Sequence, residues 1–446
     1  MSRGCKAILY TAPTGSGKTA LTAHMLHRAA SKGMRSLFVV HRRELIKQSI
    51  DAFNKEDLPH GIISAGFIES PHHRVQLASV QTLARRIARY PEPTLIVWDE
   101  AHHLAARSWN EIFGRYANCY HVGLTATPER LDGKGLGGYF KEMVVGPSIR
   151  TLTAQGYLSP YKLYAPGNVN LQGVHTRMGD YEKRELSSVV DKPSITGNAI
   201  EHYKRLCWGR RAVVFCASVT HSKNVVDQFN AAGIAAAHID GETPDAERDE
   251  RIDMFKKGNI QVLSNVEIFG EGFDVPAIEA AILLRPTQSL GYYLQQVGRA
   301  LRPSALKDQA VILDHVGNWS RHGLPDDEHA WNLQGRPQDS RKEGVSGVSV
   351  RVCPSCFAAQ PGGIPICKYC GNPFPIKVRE VRQVEGELQE IKAEIARKQA
   401  RRAQGMAQSM QELYEIGKAR GMKNPRGWAY YVFKSRQAKR NRGMTV

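Results

Sequence analysis

Short apolar runs mark the first third of the chain: KAILYT at 6–11, LFVV at 37–40, TLIVW at 94–98 and HVGL at 121–124. They are continuous rather than alternating, as in strands buried on both faces, and helix-forming stretches separate them. Residues 1–150 therefore predict a parallel sheet with helices on both sides. The rhythm returns after residue 195, with AVVFC at 212–216, AAHI at 236–239, QVLS at 261–264, AAILL at 280–284 and AVILD at 310–314. Gly, Pro and Asn crowd the stretch between them. The chain thus divides into a first α/β domain (1–150), a connector (151–190), a second α/β domain (191–335), a cysteine-bearing segment (345–376) and a C-terminal region (377–446).

The first strand runs into APTGSGKT at 12–19. Gly15 and Gly17 let the backbone curl so that successive N–H groups face one anion. Lys18 reaches the β- and γ-phosphates of a nucleotide, and the Thr19 hydroxyl can ligate Mg²⁺. The helix expected over 20–30 adds the favourable end of its dipole. The third apolar run delivers DEAH at 99–102 to the carboxyl end of its strand, where open α/β sheets place ligand chemistry. There Asp99 can hold the metal and Glu100 can activate water. The second α/β unit has no phosphate loop, which places the nucleotide in the cleft between the two.

Composition adds a partner. The 446 residues carry a net charge of +18 with ordinary apolar content, 42%. No run approaches the roughly 20 apolar residues that span a bilayer, and no signal peptide precedes the first strand. This excess of basic residues suggests a polyanion, most often nucleic acid. It is uneven: residues 377–446 hold 17 Lys and Arg against 7 Glu. Of eight cysteines, Cys5, Cys119, Cys207 and Cys216 are scattered and read mostly as buried free thiols.

Taken in order, the motifs resemble those of the superfamily-two helicases and translocases, in the branch of restriction-enzyme motors and XPB-like helicases, over residues 6–320. APTGSGKT and DEAH stand as motifs I and II. HRREL at 41–45 follows its strand as motif Ia does, SVQT at 79–82 resembles the next strand-contacting segment, and GLTATP at 123–128 looks like motif III. FCAS at 215–218, GEGFD at 270–274 and QQVGRALR at 295–302 match motifs IV, V and VI, although NVE at 265–267 stands where relatives carry a Thr near motif V. The resemblance implies two RecA-like parallel-sheet domains in tandem, with a small zinc-binding module and a basic helical tail behind them. It implies that Thr14, Gly15, Ser16, Gly17, Lys18 and Thr19, with Gly272, Asp274 and Gln295, bind ATP. Thr19 and Asp99 serve Mg²⁺, and His102, Thr125 and Thr127 couple the site to the strand. Arg42, Arg43, Gln81, Thr82 and Ser218 contact nucleic acid.

Arg299 and Arg302 lie three apart, hence on one helical face. Both can reach a γ-phosphate held by the other domain, so hydrolysis requires closure. The phosphate loop begins about a dozen residues from Met1. That leaves no room for the base-reading segment of most relatives and predicts relaxed base selectivity.

Cys353, Cys356, Cys367 and Cys370 form C-x2-C, ten residues, C-x2-C. The spacing points to a four-thiolate Zn²⁺ site, with two disulfides or an iron–sulfur centre as alternatives, and Gly371 falls where a knuckle needs positive φ. A closed site of this kind is structural or binding rather than catalytic. Further on, Val381, Val384, Leu388, Ile391 and Ile395 make a stripe that docks on the motor or dimerises. WAYYVFKSR at 428–436 suits either base stacking or a hairpin with an aromatic core. The sequence reads as a cytoplasmic ATP-dependent DNA helicase or translocase from a prokaryote or a virus-infected cell. The resemblance implies single-stranded or forked DNA as its track, with replication or repair proteins as expected partners of the zinc module and tail. An RNA helicase and an ATP-switched loading module are the alternatives.

Overall fold

The computed structural model describes residues 5–130, 132–165, 171, 173–177, 179–191, 193–268, 278–335, 350–374, 404, 407, 409–422 and 424–442, with backbone alone at 43–44, 193–197 and 436–442. Seven strands form the first sheet: β1 Ala7–Thr11, β2 Ser36–Val40, β3 His60–Ile63, β4 Val75–Ser79, β5 Leu95–Trp98, β6 Tyr120–Thr125 and β7 Glu142–Val145. All pair in parallel, in the order β3-β4-β2-β5-β6-β1-β7. Alternation within one apolar run feeds both faces. Leu37 and Val39 join Ile96, Trp98, Trp109 and Ile112 on one side, and Phe38 and Val40 join Leu26, Ile46 and Phe53 on the other. The covering helices are α1 Lys18–Ser31 and α2 Arg43–Lys55 on the second of these faces, and α3 Val80–Arg86 and α4 Arg107–Arg115 on the first.

The second sheet is also parallel. After α5 Ile149–Ala154 come β8 Tyr161–Tyr164, a small hairpin of β9 Thr176–Arg177 and β10 Asp180–Tyr181, α6 Lys183–Val190 and α7 Pro193–Leu206. Then follow β11 Ala212–Phe215, α8 Val219–Ala231, β12 Ala236–Ile239, α9 Asp245–Lys257, β13 Val262–Asn265, β14 Ala280–Leu283, α10 Leu290–Ala300, β15 Ala310–Asp314 and α11 Asn318–His322. The strand order is β12-β13-β11-β14-β15-β8. Residues 151–190, read from the sequence as a connector, contribute to this domain's architecture. β8 is the edge strand beside β15, and Leu152, Leu163, Leu186 and Val190 lie in the domain's core. Side chains of this kind each contribute about 1.5–3 kcal/mol on burial.

Beyond α11 the chain returns to the first domain. Trp331 packs on the core of the second domain, and Leu333, two residues later, packs on that of the first. The Leu333 and Gln334 carbonyls accept from the Gly137 and Gly135 N–H groups, at 2.7 and 3.2 Å.

A β-pair of β16 Val350–Val352 and β17 Ala359–Pro361 opens the cysteine module. The module extends the second domain: Ala165 N–H donates to the Phe357 carbonyl at 2.9 Å, Tyr164 bridges Ala358, and Ala359 is buried in the domain's core.

Residues 375–446 form a separate unit. Its helices Met410–Ala419 and Pro425–Arg442 make a hairpin. Ser409 caps the first by accepting from Glu412 N–H. Trp428 and Phe433 pack into the hairpin's core, while Tyr431 stays 73% exposed. The packing matches the hairpin reading of this aromatic segment. The stripe from Val381 to Ile395 lies outside the described residues.

Candidate active site between two domains

The loop after β1 adopts the expected curl: Gly15 and Gly17 have φ of 84° and 81°, and α1 starts at Lys18. Lys18 Nζ donates to the Ala12 and Pro13 carbonyls at 2.8 and 2.9 Å. Burial lowers its pKa, opposed by the charges of Glu100 and Asp99. Ser16 Oγ is buried with no protein hydrogen-bond partner. An orphaned hydroxyl in a glycine curl suits a phosphate oxygen.

Asp99 and Glu100 leave the end of β5 side by side, and each is only 9% exposed. Burial, then the neighbouring Glu100 charge, pushes Asp99 up to about 6. Such a carboxylate suits a cation, and Asp99 and Thr19 are the residues that would hold Mg²⁺. Glu100 has φ of 50°, a left-handed backbone rare outside glycine. Strain of this sort costs about 1–3 kcal/mol and clusters at functional sites.

The three expected coupling residues meet here. His102 Nδ1 lies 3.4 Å from Glu100 Oε2 and 3.2 Å from Thr125 Oγ1. Thr125 Oγ1 in turn donates to the Thr127 carbonyl at 2.7 Å.

The second domain completes the site through α10. Its Gly291 and Gly298, two turns apart, present a bare strip to the first domain. A Cβ at Gly298 would stand 2.8 Å from Thr14 Cβ, and one at Gly291 would stand 2.6 Å from Thr127 Oγ1. That closeness brings Arg299 and Arg302 to the phosphate loop. Both charges bear on Lys18, and Arg302 Cγ lies 3.4 Å from where a Gly15 Cβ would be. Arg299 and Gln295 are buried, and burial lowers Arg302 to about 10. A cavity of about 240 Å³ opens beside this junction, between Pro13, Thr14, Gly146, Leu294 and Trp331.

The four cysteines of the small module also come together. All four Sγ atoms lie within 4.8 Å of one another, with Cys353–Cys370 at 3.6 Å and Cys356–Cys367 at 3.7 Å. Disulfide sulfurs stand about 2.05 Å apart. Tetrahedral Zn–S bonds of about 2.3 Å put sulfurs about 3.8 Å apart. The two knuckles match: Phe357 N–H donates to Cys353 O and Gly371 N–H to Cys367 O, both at 2.9 Å. Phe357 and Gly371 have φ of 61° and 73°.

The family of type III restriction enzyme res subunits matches residues 1–130, and the helicase conserved C-terminal domain matches 198–304. Over 92% of its length the chain is 34% identical to a 51.5 kDa protein of a Lactococcus phage (isolate 7-9), of which it covers 88%. The chain belongs to the superfamily-two helicases, near the branch of XPB and the restriction-enzyme motors. It is also 29% identical, over 71% of its length, to a Saccharomyces cerevisiae protein named as an ATP-dependent helicase, IRC3, and spans 49% of that protein. A solved fragment of a type I restriction enzyme HsdR subunit from Vibrio vulnificus YJ016 shares the fold. Its TM-score is 0.56 at 21% identity, covering 75% of this chain and 64% of that one.

Seen as a superfamily-two motor, the cleft gathers motifs I, II, III and VI. The expected strand contacts are more scattered. Ser218 caps α8 by accepting from His221 N–H and bonds Ser187 Oγ at 2.6 Å. Thr82 is buried and bonded to the Ser79 cap, while Gln81 is exposed and donates to the His41 carbonyl. Arg42 turns toward the second domain. The side chain of Arg43, and Gly272 and Asp274 of motif V, lie outside the described residues. Sequence reasoning missed Arg285, buried and packed over Tyr292, and Glu267 beside it. The one signal for Arg285 was a cation directly behind the apolar run 280–284.

Proposed function

We propose that the chain is an ATP-driven motor that moves along DNA and separates its strands. The observation carrying this reading is the split site: a phosphate loop and two buried acids on one domain, and two arginines brought against that loop by α10 of the other. Glu100 accepts the proton of the attacking water, with His102 and Thr125 fixing its surroundings. Lys18, Arg299 and Arg302 neutralise charge developing on the transferred phosphoryl group. Thr19 and Asp99 would hold Mg²⁺, which would supply positive charge beside the phosphates. Turnover therefore alternates closure with opening, and a strand held by both domains is pulled.

Three further observations support DNA as the track. The net charge is +18, a relative from Sulfurisphaera tokodaii (25% identical over 68% of this chain) is named a DNA 3′-5′ translocase, and the branch includes restriction-enzyme motors. The cysteine cluster holds Zn²⁺ and stiffens the edge of the second domain. The phage relative favours action in the cytoplasm of a prokaryotic cell, and no helix among the described residues is long and apolar enough to cross a membrane.

The test is ATP turnover with single-stranded DNA, duplex DNA or RNA added, alongside displacement of a labelled strand from forked DNA. Stimulation by DNA with strand release is expected. Stimulation by RNA alone would move the track to RNA, and DNA stimulation without strand release would leave a translocase that does not unwind.

A further inference from the structure

Arg42 reaches across the cleft. Both of its Nη atoms meet the Glu267 carbonyl at 3.4 Å, and its Nε donates to His41 Nε2 at 3.1 Å. Behind His41 a run of tilted ring contacts leads back to the first domain's acids: His41 to His103 at 4.7 Å, then His103 to His102 at 4.3 Å, and His102 meets Glu100. Across the cleft, Glu267 is held at two carboxylate contacts, Lys183 Nζ at 2.7 Å and Arg285 Nη1 at 3.2 Å. Its backbone is left-handed, with φ of 60°. A non-glycine residue stays in that conformation only where its surroundings over-determine it. Arg285 also bonds Tyr292 Oη at 3.0 Å, and Tyr292 belongs to α10, which carries Arg299 and Arg302. The contact between Arg42 and Glu267 thus has the acids of the first domain at one end and the arginine helix of the second at the other.

We propose that Arg42 and Glu267 form a closure latch, acting as positioning residues that make the setting of Glu100 depend on the two domains meeting. The inference rests on the motor reading above, because it takes closure and opening to alternate with turnover. A guanidinium facing a carbonyl is a charge-assisted contact made only when the domains are together. It therefore favours the closed state.

The test uses the full chain with Arg42→Ala, Glu267→Gly and the double variant. ATP kcat and KM are measured without and with single-stranded DNA, together with affinity for a labelled strand. Glycine adopts φ of 60° freely, so Glu267→Gly keeps the left-handed turn while giving up both carboxylate anchors, and circular dichroism checks that the fold is kept. Each single variant is expected to lower kcat about tenfold with KM and strand affinity unchanged, and the double variant to be no worse than either. Multiplying losses in the double variant would overturn the latch. So would an Arg42→Ala that only weakens strand binding beside a fully active Glu267→Gly. If the wild type responds to no nucleic acid, the motor reading fails on its own; basal kcat in the same variants still decides, a shared loss supporting the latch and separate or absent losses overturning it.

Discussion

The two α/β domains share a parallel sheet but carry opposite chemistry at its rim. The first presents a phosphate loop and two buried carboxylates; the second presents two arginines and no phosphate loop. Both place a left-handed glutamate two residues past the end of a strand, Glu100 after β5 and Glu267 after β13. In the first domain that glutamate lies beside His102, facing the chemistry, and in the second it is locked by cations. The sheet is thus a common chassis, and its loops make each half incomplete without the other.

The sharpest way to break this pairing is to remove one side's charge. Arg299→Ala is expected to lower kcat by about 10³ while leaving nucleotide binding measurable, because the charge it meets develops during transfer. Glu100→Gln, on the opposite rim, should cost about 10²–10⁴ in kcat. Normal turnover of Glu100→Gln would remove Glu100 as the base, and normal turnover of Arg299→Ala would undo the split site. A subtler cut keeps both charges and holds the halves apart. In Gly298→Ala the added methyl meets Thr14 Cβ at 2.8 Å, so about a tenfold loss of kcat is expected with the fold intact, as read by circular dichroism.

The pH profile tests the acid side alone. Asp99, raised to about 6 by burial and by Glu100, loses its charge below that value. Mg²⁺ affinity, which needs the ionised carboxylate, should fall about tenfold per pH unit on the acidic side of 6, as read by metal titration of the nucleotide-free protein. The stability linkage runs the other way: a raised carboxyl favours the fold fully below its ordinary value, and that contribution is lost as pH rises through about 6. Asp99→Asn should therefore flatten the stability change between pH 4 and 6 by this group's share. The smallest effect belongs to the cysteine module. Chelation or Cys353→Ser should remove one zinc per chain by elemental analysis and lower Tm, with kcat unchanged, because a closed four-cysteine site offers no catalytic position.

Much of this architecture was legible. Continuous apolar runs marked β2, β5, β11, β14 and β15 because central parallel strands are buried on both faces. The edges were not. β7 is largely exposed, and β8 mixes Tyr and Lys with a single buried Leu163, so neither carries that signature. β4 hides behind Gln76, a polar residue buried because its amide donates to the Ser70 and His73 carbonyls. At the site, local motifs were readable since their chemistry is contiguous. The Arg42–Glu267 contact joins residues 225 positions apart, and the left-handed backbone of Glu100 leaves no mark on composition.

The return of the chain to the first domain has a mechanical meaning. Trp331 is anchored on one domain and Leu333 on the other, and two residues of extended chain span only about 7 Å. The domains cannot separate further at that point without stripping one of the two side chains from its core. The first crossing, at Gly146 and Pro147, lines the same cavity as Trp331. Two such crossings tie the domains together beside the phosphate loop, so the arginine helix is held within reach of that loop by the chain itself.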